Sequence, residues 1–382
     1  MSAKVCYRSL RNVVFRKRPY FAHLALTNTC NLRCRFCHIW EERMPELGTE
    51  AMKRVIDRLD RMGIAMLSFT GGEPLLRCDC VTLVDYAAAK GLYTIMASNG
   101  TMPKAKYREL LASRVGQITI SVDGVRGSIL PYGHVAPRIL DSIRYLNDNL
   151  PAGLRLMLNV TVTSHNCDQV DEIVDYCARE FPRARVWLNP VMVGRGKLRV
   201  TTETKANPDY LRRVDSPTLL TPGYFKQGAE DYYRNEVYDW GCLAGELFFD
   251  IKPNGDLWIC QDLPARPPLN ILDPDFQQKY RRADFSNRRQ CSGCVYSCHW
   301  GTQKAFEPRN WTGMAGMWWK WATAPDEACR KTAQDHGWVA GLAHFCGSHL
   351  LHTARQWTQA LIPTVSADAA AAGRTLPREV RS

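Results

Sequence analysis

The chain has 382 residues, of which 45% are hydrophobic and 23% charged, with a formal net charge of +12. That composition supplies a sizeable core and more than one domain, and no apolar run reaches the roughly 18 residues that mark a transmembrane helix. The basic balance suits phosphates, carboxylates or coenzyme-linked substrates, and no nucleic-acid module is recognisable, so nucleic acid is not expected as a partner.

Residues 1–20 are a basic segment (Arg8, Arg11, Arg16, Lys17, Arg18) without the apolar stretch of a secretory signal. The expected setting is the reducing cytoplasm. There the 15 cysteines point to metal or redox chemistry rather than disulfides. Phe21 to Thr27 predicts a first strand, with a cysteine-rich loop directly after it. Thr49 reads as a helix N-cap with Glu50 in the first turn. Met52, Val55, Ile56, Leu59 and Met62 recur at helical spacing until Gly63 stops the helix. The apolar run Ile64 to Thr70 predicts a second strand ending at Gly71-Gly72-Glu73-Pro74. A helix follows from about Val81 to Lys90. Strand three, Leu92 to Ala97, runs into Ser98-Asn99-Gly100, and strand four, Gln117 to Val122, into Asp123-Gly124. Strand five is Leu154 to Thr163 and strand six roughly Arg185 to Asn189. This alternation predicts an α/β fold with a parallel sheet. Each polar motif falls just past a strand's C-terminal end, the face where barrel enzymes keep their active sites.

The loop after strand one reads Cys30-Asn31-Leu32-Arg33-Cys34-Arg35-Phe36-Cys37. Iron–sulfur clusters normally take four thiolates, so three on one loop leave one iron for a ligand that is not a side chain. Zinc is the competing reading, since it also takes thiolates. Zinc sites more often join two Cys-x2-Cys pairs, and His38 follows Cys37 too directly to complete a tetrahedral chelate.

The Cys-x3-Cys-x2-Cys spacing, with Phe36 just before the last cysteine, resembles the signature of the radical S-adenosylmethionine (SAM) superfamily. Gly71-Gly72-Glu73-Pro74, one β-α unit later, resembles its SAM-binding turn, although alone it would pass for an ordinary turn. Glycines there let backbone approach a ligand closely. The resemblance implies an incomplete six-stranded, TIM-like barrel and a [4Fe–4S] cluster on Cys30, Cys34 and Cys37. SAM would chelate the open iron and be cleaved by one electron to a 5′-deoxyadenosyl radical, which abstracts hydrogen from a C–H bond. A one-electron reductant such as flavodoxin or ferredoxin is implied as partner. Gly71, Gly72, Glu73 and Pro74 would hold SAM, with Ser98, Asn99, Ser121, Asp123, Asn159, Asn189 and Arg195 at positions where the family contacts the rest of the molecule. For each of these the alternative is a satisfied turn or strand-end polar group. No general base stands out.

In the C-terminal half, Cys242 and Cys260 bracket two short predicted strands about a Pro253-Asn254-Gly255 turn. Cys291-x2-Cys294-x3-Cys298 follows. The arrangement resembles the auxiliary-cluster domain called SPASM, and more closely its shorter form, Twitch, with one auxiliary [4Fe–4S] cluster. The ligands it implies are Cys242, Cys260, Cys291 and Cys294, with Cys298 competing for the fourth place and Cys329 and Cys346 left over. A zinc ribbon is the alternative. An auxiliary cluster can take the electron left on a substrate radical, which favours net oxidation.

The expected domains are therefore the basic segment 1–20, a radical SAM partial barrel at 21–215, an auxiliary-cluster domain at 216–300, a Trp-rich helical extension at 301–366, and a disordered tail at 367–382. Trp311, Trp318, Trp319, Trp321, Trp338 and Trp357 suit a small helical core, a substrate lid or a peripheral membrane contact. No peptide-recognition domain is expected before strand one. The leading expectation is a cytoplasmic oxidoreductase acting on a small-molecule, sugar-like or lipid-like substrate. A peptide- or protein-modifying maturase is the alternative, and a non-catalytic iron–sulfur or zinc scaffold the third reading.

Overall fold

Phe21–Thr27 is apolar on both faces apart from His23 and the terminal Thr27, and such a strand must be covered on both sides. In the computed structural model it is strand β1 and is buried along its whole length. The structure describes residues 3–12, 18–34, 36–125, 136–192, 206–234, 240–291, 293–304, 307 and 310. Strands β2 (Met66–Gly71), β3 (Tyr93–Ser98), β4 (Gln117–Ser121), β5 (Arg155–Val162) and β6 (Ala184–Pro190) continue from β1 in sequential order, each parallel to the last.

The other edge of β1 pairs in parallel with β7 (Phe248–Ile251), in the register Phe21↔Phe248 to Leu24↔Ile251. Strands β8 (Asp256–Cys260) and β9 (Leu263–Asn270) follow antiparallel. The result is one nine-stranded sheet in the order β6-β5-β4-β3-β2-β1-β7-β8-β9, an open partial barrel rather than a closed one. The predicted hairpin is therefore continuous with the barrel sheet through β1.

Helices α1 (Ala3–Leu10), α2 (Thr49–Met62), α3 (Cys80–Ala89), α4 (Lys104–Ala112), α5 (Ala136–Asp148) and α6 (Val170–Glu180) accompany the parallel strands. Helices α7 (Tyr210–Arg213), α8 (Gly223–Arg234) and α9 (Phe276–Arg282) belong to the second half. Helix α2 buries Met52, Val55, Ile56 and Leu59, each worth roughly 2 kcal/mol of transfer free energy. Gly63 ends it in the left-handed region at φ 89, where only glycine sits without strain. Its N-cap is Gly48, with Thr49 the first helical residue. The Thr49 hydroxyl instead donates to Asp79 Oδ2 at 2.7 Å, so the capping reading was one residue late.

Strand β9 was not anticipated. Pro264, Pro267 and Pro268 make its sequence look unlike a strand, yet an edge position tolerates proline because that side needs no ladder donor. No helix among the described residues is long and apolar enough to cross a membrane. The tryptophans from Trp311 onward, Cys329, Cys346 and the tail 367–382 lie outside the described residues.

Candidate functional site

At the C-terminal ends of the parallel strands lies a cavity of about 220 Å³. Cys30, Cys34 and Cys37 line it together with Phe36, Gly71, Gly72, Ser98, Asn99, Ser121 and Asp123. The structure thus brings both sequence motifs and the turns after β3 and β4 to one space. The loop is held by short local bonds: Cys37 N donates to the Cys34 carbonyl at 3.0 Å, and Arg33 Nη1 to the Cys30 carbonyl at 2.6 Å. All three thiols are half-buried, reachable from the cavity without being free in solvent.

Gly71 and Gly72 are required first by their neighbours in the protein. A Cβ on Gly71 would stand 2.1 Å from the Thr27 carbonyl oxygen, and one on Gly72 2.2 Å from that of Thr29. Gly71 also has φ +131. Gly72 N donates to the Thr27 carbonyl at 2.7 Å and Glu73 N to that of Thr29 at 2.9 Å. The turn is stitched to the root of the cysteine loop.

Glu73 is fully buried. Its Oε1 accepts from Leu75 N at 3.2 Å and its Oε2 from Asn99 N at 2.7 Å. Burial pushes its carboxyl up to about 7, against the lowering effect of those two amides and of Ser98. It ties the β2 turn to the β3 turn, and neither it nor Pro74 is among the residues lining the cavity. From the β3 turn, Asn99 Nδ2 donates to Asn31 Oδ1 at 2.8 Å, and Asn31 Nδ2 to Thr101 Oγ1 at 2.8 Å. Glu73 and Asn99 thereby couple three loops into one frame.

Asp123 accepts from Thr161 N at 2.7 Å, and burial pushes its carboxyl up to about 6. Asn159 and Asn189 hydrogen-bond to each other and are not among the lining residues. Arg195 lies outside the described residues. Thr161, two positions beyond Asn159 on the same face of β5, lines the cavity, as does Trp40, which stacks under Arg33 at 4.5 Å. Period-two alternation would have carried the reading from Asn159 to Thr161. Trp40, three residues past Cys37, had no comparable signal.

The C-terminal cysteines lie elsewhere on the sheet. Cys260 ends β8, and Cys291 and Cys294 follow the short 3-10 turn Ser286–Gln290. Burial, then the neighbouring Cys242 and Cys291 thiols, push Cys294 up. Burial likewise raises Cys242, with Cys291 adding to the rise, and Cys260 well above the usual thiol range, with Cys294 contributing. Cys242, Cys291 and Cys294 are electrostatic neighbours, and Cys260 meets that group through Cys294, with Asp262 and Asp250 the larger charges beside it. Cys298 has different company: burial would raise it, but the His299 and His23 imidazoles bring it down to about 6. Cys177, on α6, is a buried thiol raised by burial to about 12, and Cys80 sits in the core, 4.0 Å from the Met96 sulfur.

A family model described as the Radical SAM superfamily matches residues 24–180, which include the cysteine loop and the Gly-Gly-Glu-Pro turn. An AdoMet-dependent heme synthase of Nitratidesulfovibrio vulgaris is 32% identical over 72% of this chain and 83% of its own length. Mycofactocin maturase MftC of Mycolicibacterium smegmatis is 34% identical over 72% of this chain and 74% of its own. Streptococcus suis SuiB, solved bound to precursor peptide SuiA, has a similar fold, with a TM-score of 0.51 at 19% identity over 67% of this chain and 62% of its own.

Proposed function

Because this chain belongs to the radical SAM superfamily, whose enzymes use a [4Fe–4S] cluster and SAM, we propose that Cys30, Cys34 and Cys37 hold that cluster and that the adjoining cavity receives SAM. The observation that carries this reading is the opening of all three thiols onto one cavity whose other walls are the glycine turn and the strand-end groups Ser98, Asn99 and Asp123. Three half-buried sulfurs on one loop fit a cluster with one iron left for an exchangeable ligand. When bound, cluster and SAM together supply a 5′-deoxyadenosyl radical that takes hydrogen from a C–H bond. This chain's residues hold the geometry: Gly71 and Gly72 admit the close turn, Glu73 and Asn99 lock the loops, and Asp123 with Ser98 offers polar groups to a ribose.

We assign Cys242, Cys260, Cys291 and Cys294 to one auxiliary [4Fe–4S] cluster in a Twitch-like arrangement, which extends from the barrel sheet through β7. The closeness of Cys242, Cys291 and Cys294, with Cys260 reaching Cys294, supports the set. With four side-chain ligands the cluster has no open iron and serves as an electron acceptor, which favours net oxidation of a small-molecule or lipid-like substrate. The relative named as a heme synthase supports a small molecule. The relative named as a mycofactocin maturase favours a second reading, in which the substrate is a peptide or protein side chain. Names of enzymes among the relatives speak against the non-catalytic scaffold.

The test is anaerobic: reconstituted protein is reduced with dithionite in the presence of SAM, and 5′-deoxyadenosine is measured. Formation of 5′-deoxyadenosine is expected, and its complete absence from protein carrying a full complement of iron would defeat the reading. Deuterium transfer from labelled candidate substrates, porphyrin-type or peptide, then separates the two substrate classes.

A further inference from the structure

Outside the two cysteine sets, one buried cluster has no part in the chemistry above. His23, in the middle of β1, faces Asp250 across the β1–β7 ladder. Its Nδ1 hydrogen-bonds Asp250 Oδ1 at 2.8 Å. His299, on the short π-helical turn Ser297–Gly301, places Nε2 3.5 Å from the same carboxylate oxygen. Cys298 precedes it on that turn. One ligand atom each from His23, Cys298 and His299 lie within 4.8 Å of one another, the one such group among the described residues. His299 is 1% exposed, His23 7% and Asp250 6%. Aromatic rings close the site: Phe248 stacks on His299 with centroids 4.4 Å apart, and Phe21 meets His23 edge-on at 4.7 Å.

We propose that His23, Cys298 and His299 form a mononuclear zinc site, with Asp250 behind the two imidazoles as the positioning carboxylate. Two imidazoles and one thiolate are donors that zinc accepts, and they fill three of its four tetrahedral positions. A carboxylate on the far nitrogen of a metal-bound histidine fixes ring orientation and raises ligand basicity, and Asp250 stands where it does this for His23 and reaches His299. Zinc binding displaces protons from the thiol and from the ring nitrogens that face it. The divalent charge is then balanced by the Cys298 thiolate and the Asp250 carboxylate within an apolar shell.

The site joins β1 to β7 and to the chain after the last cysteine pair, so its role is a clasp between the barrel and the auxiliary half. It also resolves the competition for the auxiliary cluster, because Cys298 is committed to the histidines. Zinc binding at this site is independent of SAM chemistry and is read in a different element.

The full chain is purified anaerobically with its iron–sulfur content intact, incubated with Zn2+ alone, desalted and analysed for zinc, iron and sulfide. About one zinc per chain beyond the iron is expected, and the zinc K-edge should show one sulfur at about 2.3 Å and two nitrogens at about 2.0 Å. Cys298→Ser should remove the zinc with iron and sulfide unchanged. Asp250→Asn, which keeps the shape of the site, should weaken zinc retention by about 10- to 100-fold, and it decides the matter if the cysteine variant does not fold. Wild-type protein that retains no zinc overturns the proposal. So does a zinc shell without sulfur, or a Cys298→Ser protein that loses one cluster's share of iron.

Discussion

The two cysteine regions differ in what surrounds their sulfurs. Cys30, Cys34 and Cys37 share their walls with polar strand-end groups and an accessible cavity. Cys294 belongs to the hydrophobic core, and Cys242 and Cys260 pack against it. A thiolate in the first setting keeps contact with a space that a ligand enters and leaves. In the second, desolvation strongly disfavours a bare thiolate, so these sulfurs are neutral thiols unless a metal meets their charge. One sheet therefore places three cysteines on an open cavity on the strand-end side of β1–β5 and another set in a closed, apolar setting beside β8.

The sharpest way to break that contrast is to remove the first set. The Cys30→Ala/Cys34→Ala/Cys37→Ala variant is expected to lose all SAM cleavage while keeping about one cluster's worth of iron, read by iron analysis and by 5′-deoxyadenosine formation. Retained turnover would show that this loop is not where SAM is cleaved, and an iron-free protein that the two regions are not independent. Cys242→Ala/Cys294→Ala should do the converse: the variant loses the other cluster's iron and substrate oxidation, but still forms 5′-deoxyadenosine. Because those thiols are buried beside core residues, chelation of wild-type iron should also lower thermal stability more than the triple substitution does.

Next in size is Gly71→Ala. Its Cβ would meet the Thr27 carbonyl at 2.1 Å in a backbone conformation that side chains avoid. A loss of about 2 kcal/mol or more is expected from denaturant unfolding, together with at least a tenfold fall in SAM turnover as the loop root shifts. Full activity in this variant would mean that the turn is not fixed to the cysteine loop.

Much of this architecture was legible in the sequence because its signals are local. Phe21–Thr27, the Gly63 stop and the Pro253-Asn254-Gly255 hairpin each state their own geometry through apolar runs and turn chemistry. That Cys30, Cys34 and Cys37 share one cavity was legible because they stand close together on one loop. For Glu73 the motif shows that a carboxylate is present, but not that both its oxygens are taken by the amides of Leu75 and Asn99. Asp250 and His23 could not be found at all. They lie 227 positions apart and meet only because β7 adds in parallel to β1, a pairing that no local pattern announces. Strand β9 was hidden for the opposite reason, since its prolines obey the rules for an edge that only the completed sheet defines.

The smallest expected effect tests the frame around the open cavity. Folding raises the Glu73 carboxyl from 4.5 to about 7, so between those values the folded chain holds a proton that the unfolded chain has released. Stability from this group is therefore greatest below pH 4.5, falls as pH rises, and is lost above about 7, a span of roughly 3 kcal/mol as an upper order of magnitude. Glu73→Gln keeps the shape and cannot ionise. Denaturant unfolding of the SAM-free protein should thus show a flatter pH profile from 4.5 to 7 in the variant than in the wild type. The glutamine still accepts from one of the two amides, so the loops should hold and SAM affinity should fall by only about fivefold, the value of one hydrogen bond. An unchanged pH slope would mean that Glu73 is ionised throughout, with its charge met by something other than Leu75 and Asn99. The frame would then belong to the charged ligand site rather than to the scaffold that supports it.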